Sequence, residues 1–227
     1  MEKPAESTLT PSPRTLQMVA RTLRHELGDL LQTVYSAVAI LKSRLPADAE
    51  SERRLLTELH GQAESCKLKL DAVQDLACPL TLHSAPTNVA DIAAGIAARL
   101  GPRFPQVRLT FETTRTPPVS ADGQRLDHVG RLLLLSALQA AQREVRMRVG
   151  PAADGGVEWT FGDDGPGANA EQMSWLTEPF STTHFAQFGL GIALARRVVE
   201  LHGGKVTADN LPQGGFRVTL TLPAAAT

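Results

Sequence analysis

The sequence has few cysteines and lacks a long apolar run. Cys66 and Cys78 are the only cysteines among 227 residues. Two are too few for a disulfide framework, and their spacing is not that of metal ligands, so we expect reduced thiols. No stretch approaches the roughly 20 apolar residues that cross a bilayer as a helix. Residues 1–13 are polar, without the apolar core of a signal peptide. These absences predict a cytoplasmic protein with a disordered N-terminal tail.

An excess of charge of either sign is also missing. The 23 Lys and Arg residues nearly balance 24 Asp and Glu residues, which leaves a net charge of −1. This balance gives no electrostatic reason to expect nucleic acid or an anionic membrane as a partner. The length is enough for two modest domains.

Two long amphipathic helices are predicted in the first third of the chain. Apolar residues recur every three or four positions from Leu16 to Leu45 and again from Leu55 to Ala77, which is typical of helices with one apolar stripe. Pro46 separates the two patterns. We therefore expect an antiparallel hairpin over residues 14–78. Because neither helix buries its stripe well against one partner, we expect two copies to form a four-helix bundle, and hence a homodimer.

Helical and strand patterns alternate in residues 79–227. Residues 78–89 contain two prolines and are interpreted as a linker or a first edge strand. Three helices are predicted, at residues 88–100, 124–142 and 190–201. Five strands are predicted, at residues 107–113, 145–149, 157–161, 205–208 and 216–222. The fold class is therefore α+β: a helical hairpin followed by a two-layer α/β sandwich.

His25 is the first candidate for chemistry. At 100° per residue it lies about 200° from Leu23 and from Leu27, so it projects away from the apolar stripe. A solvated surface histidine is the simplest interpretation. The alternative is a nucleophile, because a neutral imidazole nitrogen can attack phosphorus while an adjacent carboxylate, here Glu26, orients the ring and takes its proton. For His60 on the second helix, a solvated histidine is the preferred interpretation.

Two glycine-rich segments are further candidates. Residues 163–167, Asp-Asp-Gly-Pro-Gly, follow a predicted strand directly. There a carboxylate can accept a hydrogen bond from an amine while the glycines let backbone approach the ligand; a simple turn is an equal alternative. Residues 189–191, Gly-Leu-Gly, open a predicted helix, whose free N–H groups suit phosphate, although such a pair alone is weak evidence. Residues 178–183 lie between these segments and could begin a flexible cover.

The order of these segments resembles that of the conserved boxes in the two-component histidine kinases, and the resemblance extends from Thr15 to Pro223. Four boxes in the family's order across two domains make the match specific. Residues 24–27 are similar to the phosphoacceptor box, 163–167 to the first glycine box, 178–180 to the phenylalanine box and 189–191 to the second glycine box; residues 201–204 and 219–223 also match.

The resemblance implies roles for individual residues. His25 would accept the γ-phosphoryl group of ATP with Glu26 as base, and the C-terminal domain would be a GHKL-type ATPase. The implied ATP-binding residues are Asp163 at the adenine amine, Gly165 and Gly167 around it, and Gly189, Leu190 and Gly191 at the phosphates. ATP and Mg²⁺ are the implied cofactors. The implied partners are a second copy of the chain and the receiver domain of a response regulator. Because no sensor domain precedes the hairpin, we expect input either from a separate sensor protein or from ligand effects on the two domains themselves.

The asparagine box departs from the family pattern. Leu132 and Ser136 stand at its two asparagine positions, and the second asparagine normally gives an oxygen to Mg²⁺. A serine hydroxyl is shorter and would reach the metal only through water. Asp164 replaces the usual asparagine beside the adenine site, and Asp29 replaces an amide or hydroxyl linked to phosphatase activity. These changes affect metal and phosphate handling, so we expect weakened turnover with the adenine end intact.

The sequence is consistent with four functions. The leading one is a histidine kinase that phosphorylates His25 and passes the group to an aspartate of a response regulator. The second is a histidine phosphotransferase or pseudokinase with kinase architecture, which the altered asparagine box favours. The third is a non-catalytic nucleotide-binding module that regulates a partner through the hairpin. A superfamily ATPase or chaperone is the fourth, and it leaves the exposed His-Glu pair unexplained.

Overall fold

Helices and strands follow the sequence pattern closely in the computed structural model, which describes residues 12–46, 48–175 and 189–224. The chain divides into two compact units, residues 1–79 and residues 80–227. Most of the predicted N-terminal tail and all of residues 178–183 lie outside the described residues. No helix in the described part of the chain is both long and apolar enough to cross a membrane.

The first unit is the predicted helical hairpin. Helix α1 spans Pro13–Arg44 and α2 spans Glu50–Ala77. The hydroxyl of Ser12 accepts a hydrogen bond from the Thr15 N–H at 3.2 Å, which satisfies one free donor at the start of α1. The C-terminal end of α1 precedes Pro46, as expected because proline cannot continue a helix.

The hairpin buries a narrower set of side chains than the sequence pattern suggests. Within one chain the buried residues of the two helices are Ala20, Leu31, Val38, Ala63, Leu68, Ala72 and Leu76. Most of the predicted stripe of α1 stays exposed, including Leu16 at 49%, Leu23 at 46% and Leu30 at 57%. The physical reason is that α2 covers one side of α1, and small residues at that contact let the helices pack closely. A single hairpin therefore leaves an apolar face without a cover.

The second unit is built on a mixed five-stranded sheet. Its strands are β2 Arg108–Thr113, β4 Glu144–Pro151, β5 Val157–Asp163, β6 Lys205–Asn210 and β7 Phe216–Leu222. Their order is β2-β4-β5-β7-β6, with β2 and β4 parallel and the other neighbours antiparallel. Two short strands, β1 Ala85–Thr87 and β3 Val119–Ala121, pair separately. Strand β1 confirms the alternative of an edge strand after the linker.

Helices cover one face of this sheet, which confirms the predicted fold class. They are α3 Val89–Leu100, α4 Gly123–Ala140 and α6 Gly189–Leu201. A further short helix, α5 Ala170–Trp175, follows β5 in the chain. Alternate residues of β5, from Val157 to Asp163, are buried, as a strand with one covered face requires. Strand β3 and helix α5 were not predicted, because three and six residues are too short to show a period.

Asp122 fixes the start of α4. Its Oδ1 accepts hydrogen bonds from the N–H groups of Gln124 and Arg125, each at 3.1 Å, and its Oδ2 accepts one from His83 N–H at 2.9 Å. The Asp122 N–H donates in turn to Nε2 of His202 at 2.8 Å. His202 belongs to the Leu-His-Gly-Gly segment after α6, so this contact ties the end of α6 to the beginning of α4.

Candidate functional site

A small cavity lies where α4, β5, β7 and α6 meet. Its polar lining residues are Ser136 and Asp163. Its apolar lining residues are Leu133, Ala137, Phe161, Ile192, Phe216 and Val218. The volume left between these side chains is about 10 Å³, which is close to the space of one water molecule. The fold thus brings the first glycine segment, the altered asparagine box and the helix after the second glycine segment to one apolar slot.

Asp163 supplies a buried carboxylate to this slot. It is the last residue of β5 and is 5% exposed. Burial raises its pKa, the nearby charge of Asp164 adds to the rise, and hydrogen bonds from the Gly165 and Phe216 backbones oppose it. The Gly165 bond to Asp163 Oδ1 measures 2.8 Å. A carboxylate with little hydration accepts a hydrogen bond from a ligand amine at low desolvation cost.

The glycines after Asp163 are required by close approach. A Cβ on Gly165 would lie 2.7 Å from Asp163 Oδ1, and Gly167 has a φ of +73°. Side chains do not fit the first position, and they strain the backbone at the second. The two glycines therefore shape the turn beside the carboxylate, as the sequence predicts.

Asn210 holds the same turn from β6, and the sequence gives no signal for this role. Its Oδ1 accepts from the Ala168 N–H at 2.8 Å, and its Nδ2 donates to the Ala168 carbonyl at 2.7 Å. This two-point contact fixes the backbone that follows Gly167. Residues far apart in sequence meet here, so only the tertiary structure reveals the contact.

Asp164 has a structural role. Its Oδ1 accepts hydrogen bonds from the backbone N–H groups of Gln142, Arg143 and Glu144 at 2.9, 3.0 and 3.1 Å. Burial acts to raise its pKa, but these backbone bonds outweigh burial, and the pKa is lowered. The residue thus ties the turn between α4 and β4 to the glycine segment.

The second glycine segment begins α6. Gly189 is the first residue of that helix, Leu190 is 9% exposed and Gly191 is buried. A Cβ on Gly191 would make ordinary contacts with Leu132 and Leu133 on α4. The N–H groups of the first turn have no partner within the helix, and the positive end of the helix dipole adds to them. Because Ile192 lines the cavity, this helix start belongs to the same site.

The α4 residues at the expected metal position do not fit a metal ion held by protein ligands. Leu132 is apolar and 3% exposed, and Ser136 offers a single hydroxyl. Across the described ranges, no group of three or more His, Cys, Asp or Glu side chains could hold a metal ion. Mg²⁺ prefers carboxylate and phosphate oxygens in octahedral geometry. The expectation of Mg²⁺ therefore finds no support from these side chains.

His25 lies on the exposed side of α1. Its side chain is 75% exposed, and its Nδ1 lies 3.3 Å from Oδ2 of Asp29. Glu26, the expected base, is the next residue along α1, and no contact between its carboxylate and the ring is found in the structure. The acid beside the ring is thus Asp29, one turn later on α1, whereas the sequence suggested Glu26.

A groove beside His25 is lined by both helices of the hairpin. Across it, Asp71 of α2 accepts a hydrogen bond from Arg24 at 2.9 Å and one from Lys67 at 2.8 Å. Burial acts to raise the pKa of Asp71, but the two cations outweigh it and the pKa is lowered. Basic side chains and an exposed histidine therefore share one surface.

Comparisons with known proteins agree with this arrangement. Residues 121–226 match the family model of the histidine kinase-, DNA gyrase B-, and HSP90-like ATPases. The sensor histidine kinase ZraS of Klebsiella oxytoca is 26% identical over 210 residues, which are 90% of this chain and 45% of that protein. The sensor protein FixL of Bradyrhizobium diazoefficiens is 32% identical over 137 residues, which are 58% of this chain and 27% of that protein. The chain spans about half the length of its ZraS relatives.

Solved structures share the fold. Full-length ShkA in complex with AMPPNP superposes with a TM-score of 0.68 at 21% identity, over 96% of this chain and 47% of that one. The catalytic domain of the histidine kinase ThkA gives a TM-score of 0.56 at 21% identity, over 63% of this chain and 99% of that one. The family model shows that residues 121–226 form an ATPase domain of the GHKL type, and this domain together with the ZraS relatives supports a two-component sensor histidine kinase.

Proposed function

We propose that this protein is a cytoplasmic histidine kinase that phosphorylates His25 from ATP and passes the phosphoryl group to an aspartate of a response regulator. In the transfer, an imidazole nitrogen of His25 forms a bond to the γ-phosphorus as the bond from that phosphorus to the ADP oxygen breaks. Glu26 is the proposed base for the ring proton. The aspartate of the receiver domain then displaces the histidine nitrogen.

One observation carries the proposal. The buried Asp163 carboxylate, the glycine turn and the start of α6 converge on one apolar slot, and this combination suits a purine amine and a phosphate chain. Adenine has to widen this slot, because its volume of about 10 Å³ holds roughly one water molecule. We therefore expect Phe161 and Phe216 to move apart when nucleotide binds at Asp163, with Gly165, Gly167, Gly189, Leu190 and Gly191 around it.

The proposal includes a homodimer. Leu16, Leu23 and Leu30 are each close to half exposed on α1 in a single chain, and Leu55 on α2 is 66% exposed. Apolar stripes on both helices are typical of hairpins that pair into a four-helix bundle. We expect the receiver domain of a response regulator as a further partner.

The test incubates the purified chain with γ-labelled ATP and a divalent cation, and scores acid-labile label on the protein. His25→Gln and Ser136→Asn are measured beside the parent. The proposal expects label on the parent that is absent from His25→Gln. Since an asparagine amide reaches further than a serine hydroxyl, Ser136→Asn should increase the labelling rate. Label that persists in His25→Gln would exclude His25 as the acceptor.

The altered α4 position favours a second candidate, a histidine phosphotransferase. Leu132 and Ser136 give no set of metal ligands, which weakens transfer from ATP but leaves exchange between His25 and receiver aspartates untouched. This candidate expects no label from ATP in the parent, and label on His25 from a phosphorylated receiver domain. The two functions are thus separated by the phosphoryl donor.

A further inference from the structure

We propose that Asp29 is a positioning residue for His25: it holds the ring proton on Nδ1 and so leaves Nε2 as the nitrogen that accepts the phosphoryl group. The inference rests on the proposed function for the role of His25 as acceptor. The contact itself depends only on the geometry of α1.

Helix geometry selects Asp29 over Glu26 as the residue that orients the ring, whereas Glu26 keeps its proposed role as the base that removes the Nδ1 proton once the N–P bond has formed. Residues four apart face each other on a helix, whereas adjacent residues point about 100° apart. Oδ2 of Asp29 accordingly lies 3.3 Å from Nδ1 of His25, a distance that a small side-chain rotation converts into a hydrogen bond. In proteins without substrate, such bonds are often long and tighten later.

The surroundings of the ring leave this pair free to form. The neighbouring carboxylate across the groove, Asp71, is engaged with Arg24 and Lys67. Gly28 lies between His25 and Asp29, and a Cβ there would meet nothing within 4 Å. The ring therefore has room to turn toward Asp29, and the described residues bring no second carboxylate to Nδ1.

The chemistry follows from the inventory of donors and acceptors. An ionised carboxylate only accepts hydrogen bonds, so Nδ1 carries the proton, and in a neutral ring Nε2 then keeps its lone pair. Nε2 forms the N–P bond while the P–O bond to the leaving group breaks and its electrons stay on that oxygen. The positive charge that develops on the ring is shared with Asp29 through the Nδ1 proton.

The test measures the tautomer of His25 in the full chain from imidazole ¹⁵N shifts, at a pH where the ring is neutral. The parent is compared with Asp29→Ala, which removes the acceptor, and with Asp29→Asn, whose amide oxygen keeps one. Glu64→Ala is the matched control, because Oε1 of Glu64 lies 3.7 Å from Nε2 of His60, four residues earlier on α2. Since both members of the His25 pair are mostly exposed, Asp29→Ala should lower the ratio of Nδ1–H to Nε2–H rings about 1.5- to fivefold. Asp29→Asn should restore most of it, and Glu64→Ala should leave His25 unchanged.

A second readout uses phosphoramidate, a chemical phosphoryl donor that needs no ATP site. The inference expects phosphorylation of His25 on Nε2, slowed in Asp29→Ala in proportion to the fraction of Nδ1–H rings and recovered in Asp29→Asn. An unchanged tautomer ratio in Asp29→Ala, or a parent ring already protonated on Nε2, would overturn it. If the parent takes label neither from ATP nor from a phosphorylated receiver, the proposed function fails, and the tautomer result still decides the role of Asp29.

Discussion

Gly130 on α4 is a position where a single added methyl group should disturb the core. The residue is buried, and the ring of Trp159 on β5 packs over it with 0% exposure. A Cβ on Gly130 would lie 2.7 Å from Cδ1 of Ile96 and 2.8 Å from Cζ2 of Trp159. Neither the indole nor the α3 side chain can avoid this contact without repacking, so we expect Gly130→Ala to be destabilising.

The magnitude follows from two opposing effects. Alanine favours a helix interior over glycine by about 0.8–1.0 kcal/mol. Overpacking a well-filled core costs about 1–3 kcal/mol. Gly95 on α3 offers a matched control, because it is exposed and a Cβ there would meet nothing within 4 Å. Gly95→Ala should therefore be stabilised by the helix preference of alanine with no overpacking cost. The free energies of unfolding of the two variants should then differ by about 1–3 kcal/mol.

Thermal unfolding monitored by near-ultraviolet circular dichroism measures this difference. Both tryptophans, Trp159 and Trp175, lie in residues 80–227, so the signal reports on the unit that contains Gly130. For a domain of this size, 1 kcal/mol shifts the Tm by about 2–4 °C. Gly130→Ala should therefore melt at least about 2 °C below Gly95→Ala. Equal or higher Tm for Gly130→Ala would refute the packing of Trp159 against α4.

Three further outcomes are expected. Asp164→Ala removes an acceptor for three backbone N–H groups and should lower the free energy of unfolding, measured by urea denaturation, by about 1–2 kcal/mol. A change below the error of that measurement would contradict the structural role of Asp164. Nucleotide affinity, measured by calorimetry from pH 7 to pH 4, should be full above the raised pKa of Asp163 and should fall as the pH drops through that pKa. The reason is that a protonated carboxyl group accepts a hydrogen bond from an amine less well than a carboxylate. An affinity that does not change with pH would exclude the Asp163 carboxylate from the site. The pKa of Asp71 is lowered, so its ion pairs stabilise the hairpin fully above the ordinary value of 3.8, and this stabilisation is lost as the pH falls through the lowered pKa. Asp71→Asn should therefore flatten the acid limb of helix unfolding followed by far-ultraviolet circular dichroism.

Local patterns in the sequence determined the elements. The period of apolar residues predicted α1, α2, α4 and α6, because a helix with one covered face repeats every three or four residues. Asn88 and Gly204 mark where α3 begins and α6 ends, since Asn88 accepts from the Ala90 N–H and the Gly204 N–H donates to the Val199 carbonyl. The glycine segments also predicted which turns approach a ligand, because they need residues without a Cβ.

Contacts between distant segments required the tertiary structure. The sequence could not show that the side chain of Asn210 hydrogen-bonds the backbone of Ala168. Nor could it show that Asp164 accepts from backbone N–H groups some 20 residues earlier, or that His202 accepts from the Asp122 N–H. The pairing of His25 with Asp29 follows from helix spacing, yet the adjacent Glu26 was the expected partner. Local preference acts on neighbours along the chain, whereas these hydrogen bonds depend on which elements the hydrophobic core brings together. The sequence by itself therefore determined the longer elements and the candidate residues, whereas packing decided the short elements and which residues meet.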